Sequence, residues 1–304
     1  MSQSLVSVPY YPGCTMKMRA MEFERSAQAC ARALQFELDE LPQWNCCGAT
    51  YPLAGDNLMG LAGSTNVLLQ VEKYCRSKNI APQVVTLCAF CYNVLKRADY
   101  GLSHDKKRRE AMNGFLQQSY QGPVRVMHYL EYLRDVVGFD RLAKMVVTDM
   151  SKIRVAPYYG CLLLKPHKEI GLDDPEEPVL MHDFLAAIGC QVVDFPGQVS
   201  CCGSYLVLRE PEKVLSNSRA ILNEAVEYGA HALVTTCPVC QSNLDQSQGT
   251  RFGEGLSPGS AGVPILYFTE LLAVALGVSD KEQPFQDHRV DPRPILTAKV
   301  FASA

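Results

Sequence analysis

The sequence predicts an α/β protein of two tandem, pseudo-symmetric domains, each a small, mostly parallel sheet with flanking helices. Three observations predict it. A five-cysteine pattern occurs twice, about 150 residues apart. Short β-branched runs alternate with helix-patterned segments in the same order around each copy, as in parallel sheets built by crossover connections. The chain has 304 residues, 47% of them hydrophobic, enough for two domains that each bury a core.

In the first half, strands are expected at 4–9, 35–38, 83–87 and 124–127. Their counterparts are 152–158, 191–195, 232–236 and 264–267. Helices are expected at 19–34, 57–78 and 129–148, then at 178–188 and 211–228. The boundary falls near 149–152, which gives a first domain over 1–150 and a second over 151–278. Residues 279–304, rich in Pro, Asp and Arg, read as a loosely ordered, extended tail that wraps a partner. The basic run Lys106-Lys107-Arg108-Arg109 reads as a solvated helix start.

A formal charge of −3 gives no reason to expect nucleic acid. The most apolar stretch, 265–278, is short and carries Glu270, so it cannot span a hydrocarbon layer of about 30 Å. The expectation is a soluble cytoplasmic protein without direct membrane insertion. Thirteen cysteines then point to metal or redox chemistry, because the cytoplasm disfavours disulfides.

Ten of the thirteen form the two sets. The first runs Cys14, 31 residues, Cys46-Cys47, 40 residues, Cys88-x-x-Cys91. The second runs Cys161, 39 residues, Cys201-Cys202, 34 residues, Cys237-x-x-Cys240. The flanks agree: Tyr10-Tyr11-Pro12-Gly13 with Tyr158-Tyr159-Gly160, Gly48 with Gly203, Val84-Val85-Thr86-Leu87 with Leu233-Val234-Thr235-Thr236, and His128-Tyr129-Leu130-Glu131 with Tyr267-Phe268-Thr269-Glu270. In each half the single cysteine follows the first strand, the Cys-Cys-Gly the second, and the CxxC the third. Open parallel sheets bind ligands beyond the carboxyl ends of their strands, so the five thiols of a half are expected to converge there. Cys88 and Cys237 open helices, whose free N–H groups favour thiolates and anionic sulfide. Gly48 and Gly203 allow a tight bend behind adjacent cysteines, and Gly13 and Gly160 allow close approach of the backbone.

Five thiols are one more than a Cys₄ zinc site or a cubane cluster requires. Neither the paired CxxC knuckles of a zinc ribbon nor the C-x₂-C-x₂-C-x₃-C-P run of a bacterial ferredoxin is present. Cys30, Cys75 and Cys190 lie outside the sets and read as core residues.

The C…CCG…CxxC pattern resembles the CCG cysteine-rich domain of the heterodisulfide reductase B subunit, over about Pro9 to Gly277. The resemblance implies a noncubane [4Fe–4S] cluster in each half. One would be held by Cys14, Cys46, Cys47, Cys88 and Cys91, the other by Cys161, Cys201, Cys202, Cys237 and Cys240. It implies an oxidoreductase that interconverts thiols and disulfides, or oxidises thiol-bound sulfane sulfur. Its partners in the same complex would be the A subunit, which contains flavin, and the C subunit, which is ferredoxin-like, with no flavin on this chain. The alternatives are an electron-transfer subunit of a quinone-linked flavin dehydrogenase of the glycolate, lactate or succinate type, and a non-catalytic metal-binding scaffold, zinc-bound or electron-relaying.

A two-fold related pair of domains that turn their strand ends toward each other would place both clusters on one cleft, able to divide a disulfide between them. No carboxylate pair or Ser/His/Asp set stands out, so no catalytic residue is assigned beyond the cluster ligands. His128 and His182 read as capping or surface histidines before they read as proton shuttles. Tyr10, Tyr11, Tyr158 and Tyr159 read first as packing residues at strand ends, and Trp44 as a wall beside Cys46. The longer Cys47–Cys88 gap is assigned to a 49–60 loop that covers the site or meets a partner.

Overall fold

The computed structural model describes residues 5–49, 57–249, 262–278 and 285–300. It contains two four-stranded parallel sheets. The first half comprises β1 (Val6–Tyr10), α1 (Gly13–Met18), α2 (Met21–Ala33), β2 (Phe36–Glu40), α3 (Ala62–Lys78), β3 (Gln83–Thr86), α4 (Ala89–His104), α5 (Lys106–Leu116), β4 (Arg125–His128), α6 (Tyr129–Tyr132) and α7 (Phe139–Met145). The second comprises β5 (Arg154–Tyr158), α8 (His167–Ile170), α9 (Leu180–Ala187), β6 (Gln191–Val192), α10 (Pro211–Glu227), β7 (Ala232–Thr235), α11 (Pro238–Gln246), β8 (Ile265–Tyr267) and α12 (Phe268–Ala275). The strand orders are β2-β1-β3-β4 and β6-β5-β7-β8, all pairings parallel. In this order the connections diverge between β1 and β3, and again between β5 and β7, which opens a crevice at their carboxyl ends.

All eight expected strands form. β3, β4, β7 and β8 are nearly uniformly buried, as strands covered on both faces must be. The helix expected over 129–148 is broken. A π-helical turn spans Leu133–Val137, and Gly138 at φ +82° separates it from α7. Asp105 caps α5 by accepting from the Arg108 N–H, so the basic run is the start of a solvated helix.

The halves join through helices. Phe23 of α2 stacks on Tyr267 at 4.1 Å, and the Ser26 and Thr269 hydroxyls share a hydrogen bond of 2.7 Å. The reciprocal contact sets Phe184 of α9 against Phe139 of α7. The halves thus meet through α2 with α12 and through α9 with α7. Cys30, Cys75 and Cys190 are buried away from the ten, as core residues.

The tail departs from an extended one. A 3₁₀ turn at Phe285–Asp287 and a helix, α13 (Arg293–Val300), fold back onto the chain, and Phe285, His288 and Leu296 are buried. His288 Nε2 meets Glu270 Oε1 at 2.8 Å, and the Arg289 N–H donates to Asp245 at 2.7 Å. Two acidic groups on α11 and α12 are the anchors that tail composition did not reveal.

Candidate metal centre

Each set of five cysteines gathers beyond the crevice of its own sheet. Cys14 lies in α1 just past β1, and Cys161 follows β5 through Tyr159-Gly160. Cys88 and Cys237 are the N-cap residues of α4 and α11, which places Cys91 and Cys240 in the first helical turns. The thiols meet in matching pairs. Cys14 and Cys46 Sγ are 3.7 Å apart and Cys161 and Cys201 3.8 Å. Cys47–Cys91 and Cys202–Cys240 are both 3.5 Å. Cys46 and Cys201 are exposed and Cys14 and Cys161 partly so, whereas the other six are buried. Each site therefore has a closed floor and an open rim.

The glycines make the close approach possible. Gly13 (φ +73°) and Gly160 (φ +62°) lie in the left-handed region. A Cβ on Gly13 would sit 2.8 Å from Cys91 Sγ, and one on Gly160 3.2 Å from Cys240 Sγ. Backbone donors face the sulfurs: the Gly48 N–H to Cys46 at 3.5 Å, the Gly203 N–H to Cys201 and the Ser204 N–H to Cys202, both at 3.4 Å.

The paired thiols share protons. The Cys46 and Cys91 sulfhydryls hold the Cys47 thiol below the ordinary thiol range, while Cys91 is pushed up by Cys47 and Cys88. In the second half Cys240 lowers Cys202 and is itself raised, and Cys161 lowers Cys201 to about 6. A cation entering the site displaces the protons that remain.

The aromatic residues divide. The Tyr11 hydroxyl donates to Asn45 O at 2.9 Å and the Tyr158 hydroxyl to Ser200 O at 2.7 Å, so each pins the residue before its Cys-Cys pair. The equivalent tyrosines are thus the ones three residues before Cys14 and Cys161. Tyr10 is buried, and its hydroxyl has no hydrogen-bond partner among the described residues. Tyr159 accepts from the Met181 N–H and donates to His182 Nδ1, and His182 Nε2–H donates to Asp194. His128 is a fully buried cap: its Nε2–H donates to Leu87 O at 2.7 Å, and Nδ1 accepts from the Leu130 N–H. Burial pushes it down to about 4, so it is neutral. Trp44 stands edge-on to Tyr11 and donates to Glu40.

Sequence reasoning missed the asparagines. Asn45 Nδ2 donates to Cys46 O and Gly63 O, and Asn217 Nδ2 donates to Cys201 O. Asn243 Nδ2 reaches Cys202 Sγ at 3.5 Å and Ser204 O at 3.0 Å. The only available signal was the position of Asn243, three residues past Cys240 and on the same helical face. Residues 50–56, most of the loop expected to cover the first site, lie outside the described residues.

The first half also touches the second site. The Ala89 N–H donates to Thr236 O at 3.4 Å, and Asn93 Nδ2 donates to Leu162 O and Lys165 O, both at 2.7 Å. A small pocket is lined by Ala89 and Phe90 from the first half and by Tyr159, Cys161, Cys202 and Cys237 from the second.

Among the described residues no group of three or more His, Cys, Asp or Glu side chains is disposed to hold a metal ion. Closely paired soft thiols around a glycine-cleared floor suit a polynuclear iron–sulfur group better than a lone ion. The donor set fits the group that the cysteine pattern implies. No described helix is long and apolar enough to cross a membrane.

Comparison with known proteins agrees with this geometry. The cysteine-rich domain family CCG matches residues 8–96 and 155–245. The 8-methylmenaquinol:fumarate reductase membrane anchor subunit of Wolinella succinogenes is 31% identical over 285 residues, 93% of this chain and 96% of that one. The B subunit of the ferredoxin/F(420)H(2)-dependent CoB-CoM heterodisulfide reductase of Methanosarcina acetivorans is 27% identical over 310 residues, 98% of each chain. A solved hypothetical protein from Helicobacter pylori shares the fold, with a TM-score of 0.74 at 11% identity; the match covers 96% of this chain but only 55% of that one. With both halves matched and the likeness to that reductase running nearly end to end, this chain belongs to the CCG cysteine-rich domain family and is of the heterodisulfide reductase B-subunit type.

Proposed function

We propose that this chain is the catalytic subunit of a heterodisulfide reductase-type complex, interconverting thiols and disulfides or oxidising thiol-bound sulfane sulfur. The observation that carries the reading is the pair of complete five-thiol sites, with residues of both halves lining the pocket beside Cys161, Cys202 and Cys237. Cys14, Cys46, Cys47, Cys88 and Cys91 hold one noncubane [4Fe–4S] cluster, and Cys161, Cys201, Cys202, Cys237 and Cys240 hold the other. When bound, the clusters supply the electrons that a disulfide needs and accept those that two thiols lose. The chain's own residues do the rest. The glycines bring backbone against sulfur, the asparagines fix the Cys-Cys turns, and the open rims admit substrate. The division between the halves falls near residue 150. Two partner subunits, one flavin-containing and one ferredoxin-like, exchange electrons with this one.

The test is anaerobic iron and zinc quantification, with electron paramagnetic resonance during titration by a thiol. About eight irons per chain and a thiol-induced signal are expected. Stoichiometric zinc without iron refutes the proposal.

A second reading is favoured by the 31% identity to a subunit of a fumarate reductase. Here the chain passes electrons between a quinol and a flavin-containing partner. Cluster oxidation and reduction that follow a quinol/quinone couple, with no response to thiols, would select it.

A further inference from the structure

Tyr205 was singled out neither by the cysteine pattern nor by its flanks. It lies in the 3₁₀ turn Ser204–Leu208 that leads away from Cys201-Cys202-Gly203. Three features fix the start of this turn. The Ser204 N–H donates to Cys202 Sγ, Asn243 Nδ2 donates to Ser204 O, and Ser204 adopts φ +52°. A non-glycine residue in that region stores backbone strain, and such strain concentrates at functional sites.

The aim is across the pseudo-two-fold. The Tyr205 ring meets Phe90 of the first half edge-on at 5.4 Å, although its backbone belongs to the second. Phe90 lies between Cys88 and Cys91 of the first site, and with Ser204 it lines the pocket that holds Cys161, Cys202, Cys237 and Cys240 of the second. Burial keeps the Tyr205 hydroxyl protonated, above the ordinary phenol range, so it stays a donor. It makes no hydrogen bond to any described residue, and the residue is 37% exposed. A protonated phenol set between the two cysteine motifs, without a partner of its own among the described residues, is a donor in waiting.

We propose that Tyr205 contacts the substrate, donating a hydrogen bond to a thiol, thiolate or disulfide sulfur held between the two sites. One side chain then serves both sites, because it bridges the turn after Cys201-Cys202 and the Cys88-x-x-Cys91 segment that carries Phe90. This inference rests on the thiol–disulfide reading above and adds the residue that recognises sulfur. No bond to Tyr205 forms or breaks; it orients the substrate.

The test uses the anaerobic, iron-loaded full chain titrated with 2-mercaptoethanol, following the thiol-induced paramagnetic signal. Wild type is compared with Tyr205→Phe, which keeps the ring against Phe90, and with Leu208→Gln, at a position 86% exposed on the same turn. Tyr205→Phe should retain its iron and need about 10- to 100-fold more thiol for half-saturation, the range for losing a hydrogen bond to a charged group. Leu208→Gln should titrate like wild type. If wild type responds and Tyr205→Phe titrates within about twofold of it, the inference falls alone. If Tyr205→Phe loses iron, the phenol holds the site rather than the substrate, and the inference falls. If wild type shows no thiol response, the functional reading falls with it.

Discussion

Gly13→Ala tests the close approach of backbone to sulfur most directly. The new methyl group meets two costs. At φ +73° an alanine pays about 1–2 kcal/mol for the left-handed backbone. Its Cβ would also sit 2.8 Å from Cys91 Sγ, about 1 Å inside ordinary contact. Cys91 is buried and paired with Cys47 at 3.5 Å, so it cannot swing away without breaking that pair. Overpacking of this kind costs about 1–3 kcal/mol, for a total of about 2–5 kcal/mol. The matched change, Gly160→Ala, meets the same backbone cost at φ +62°, but its Cβ lies 3.2 Å from Cys240 Sγ, which needs a shift of only a few tenths of an ångström. It should cost about 1–3 kcal/mol. Gly101→Ala, inside α4 with open space around it, should be neutral or slightly stabilising. Urea unfolding of the reduced, metal-free protein measures all three, and iron per chain after reconstitution reads the consequence for each site. Equal destabilisation by Gly13→Ala and Gly160→Ala, or wild-type stability and iron in Gly13→Ala, would refute the reasoning.

Other perturbations probe each half and its supports. Cys202→Ala removes the deep partner of Cys240 and should halve the iron while leaving the first site's signal intact; turnover of thiol and disulfide that survives it would count against a two-site mechanism. His128→Ala leaves Leu87 O and the Leu130 N–H unpaired next to Cys88 and should cost about 2–4 kcal/mol by denaturant unfolding. Because burial holds His128 down to about 4, its unfolded form binds a proton first as pH falls. The wild type should therefore lose about 3 kcal/mol between about pH 6.5 and 4, a slope that His128→Gln removes. The opposite sign applies at the tail. Burial alone would lower His288, but Glu270, then Asp245 and Glu22, outweigh it and raise it to about 9. Its contribution is complete below the unfolded value of about 6.5 and is lost as pH rises through about 9. Hydrogen-exchange protection over residues 285–296, taken relative to the intrinsic rate at each pH, should fall across that window in wild type and stay constant in His288→Gln.

The sequence was legible where physics acts locally or repeats. β-branched runs announced the strands, because a fully covered parallel strand has no polar face to show. The duplicated cysteines fell at strand ends because that is where an open parallel sheet presents its crevice. The break at Gly138 was hidden, since the apolar residues on either side continue one helical pattern. The tail has the composition of a linker, yet its ordering comes from Glu270 and Asp245, acidic groups 18 and 44 residues from their partners His288 and Arg289. Tyr205, Asn45 and Asn217 were invisible for the same reason: their contacts with Phe90, Gly63 and Cys201 lie across the fold. The histidines needed no such help, with His128 a buried cap and His182 in a surface pair with Asp194.

The bracing between the halves has a direction. Asn93, two residues past Cys91, holds Leu162 O and Lys165 O beside Cys161, while Ser242 occupies the equivalent position past Cys240 and lacks that reach. The duplicate halves are therefore not interchangeable modules. Asn93 precedes Cys161 in the chain, so during synthesis the clamping residue is made before the turn that it grips. A circularly permuted chain that makes the second half first would present Cys161 without its clamp, and would mature the second site late or incompletely even though every ligand is present.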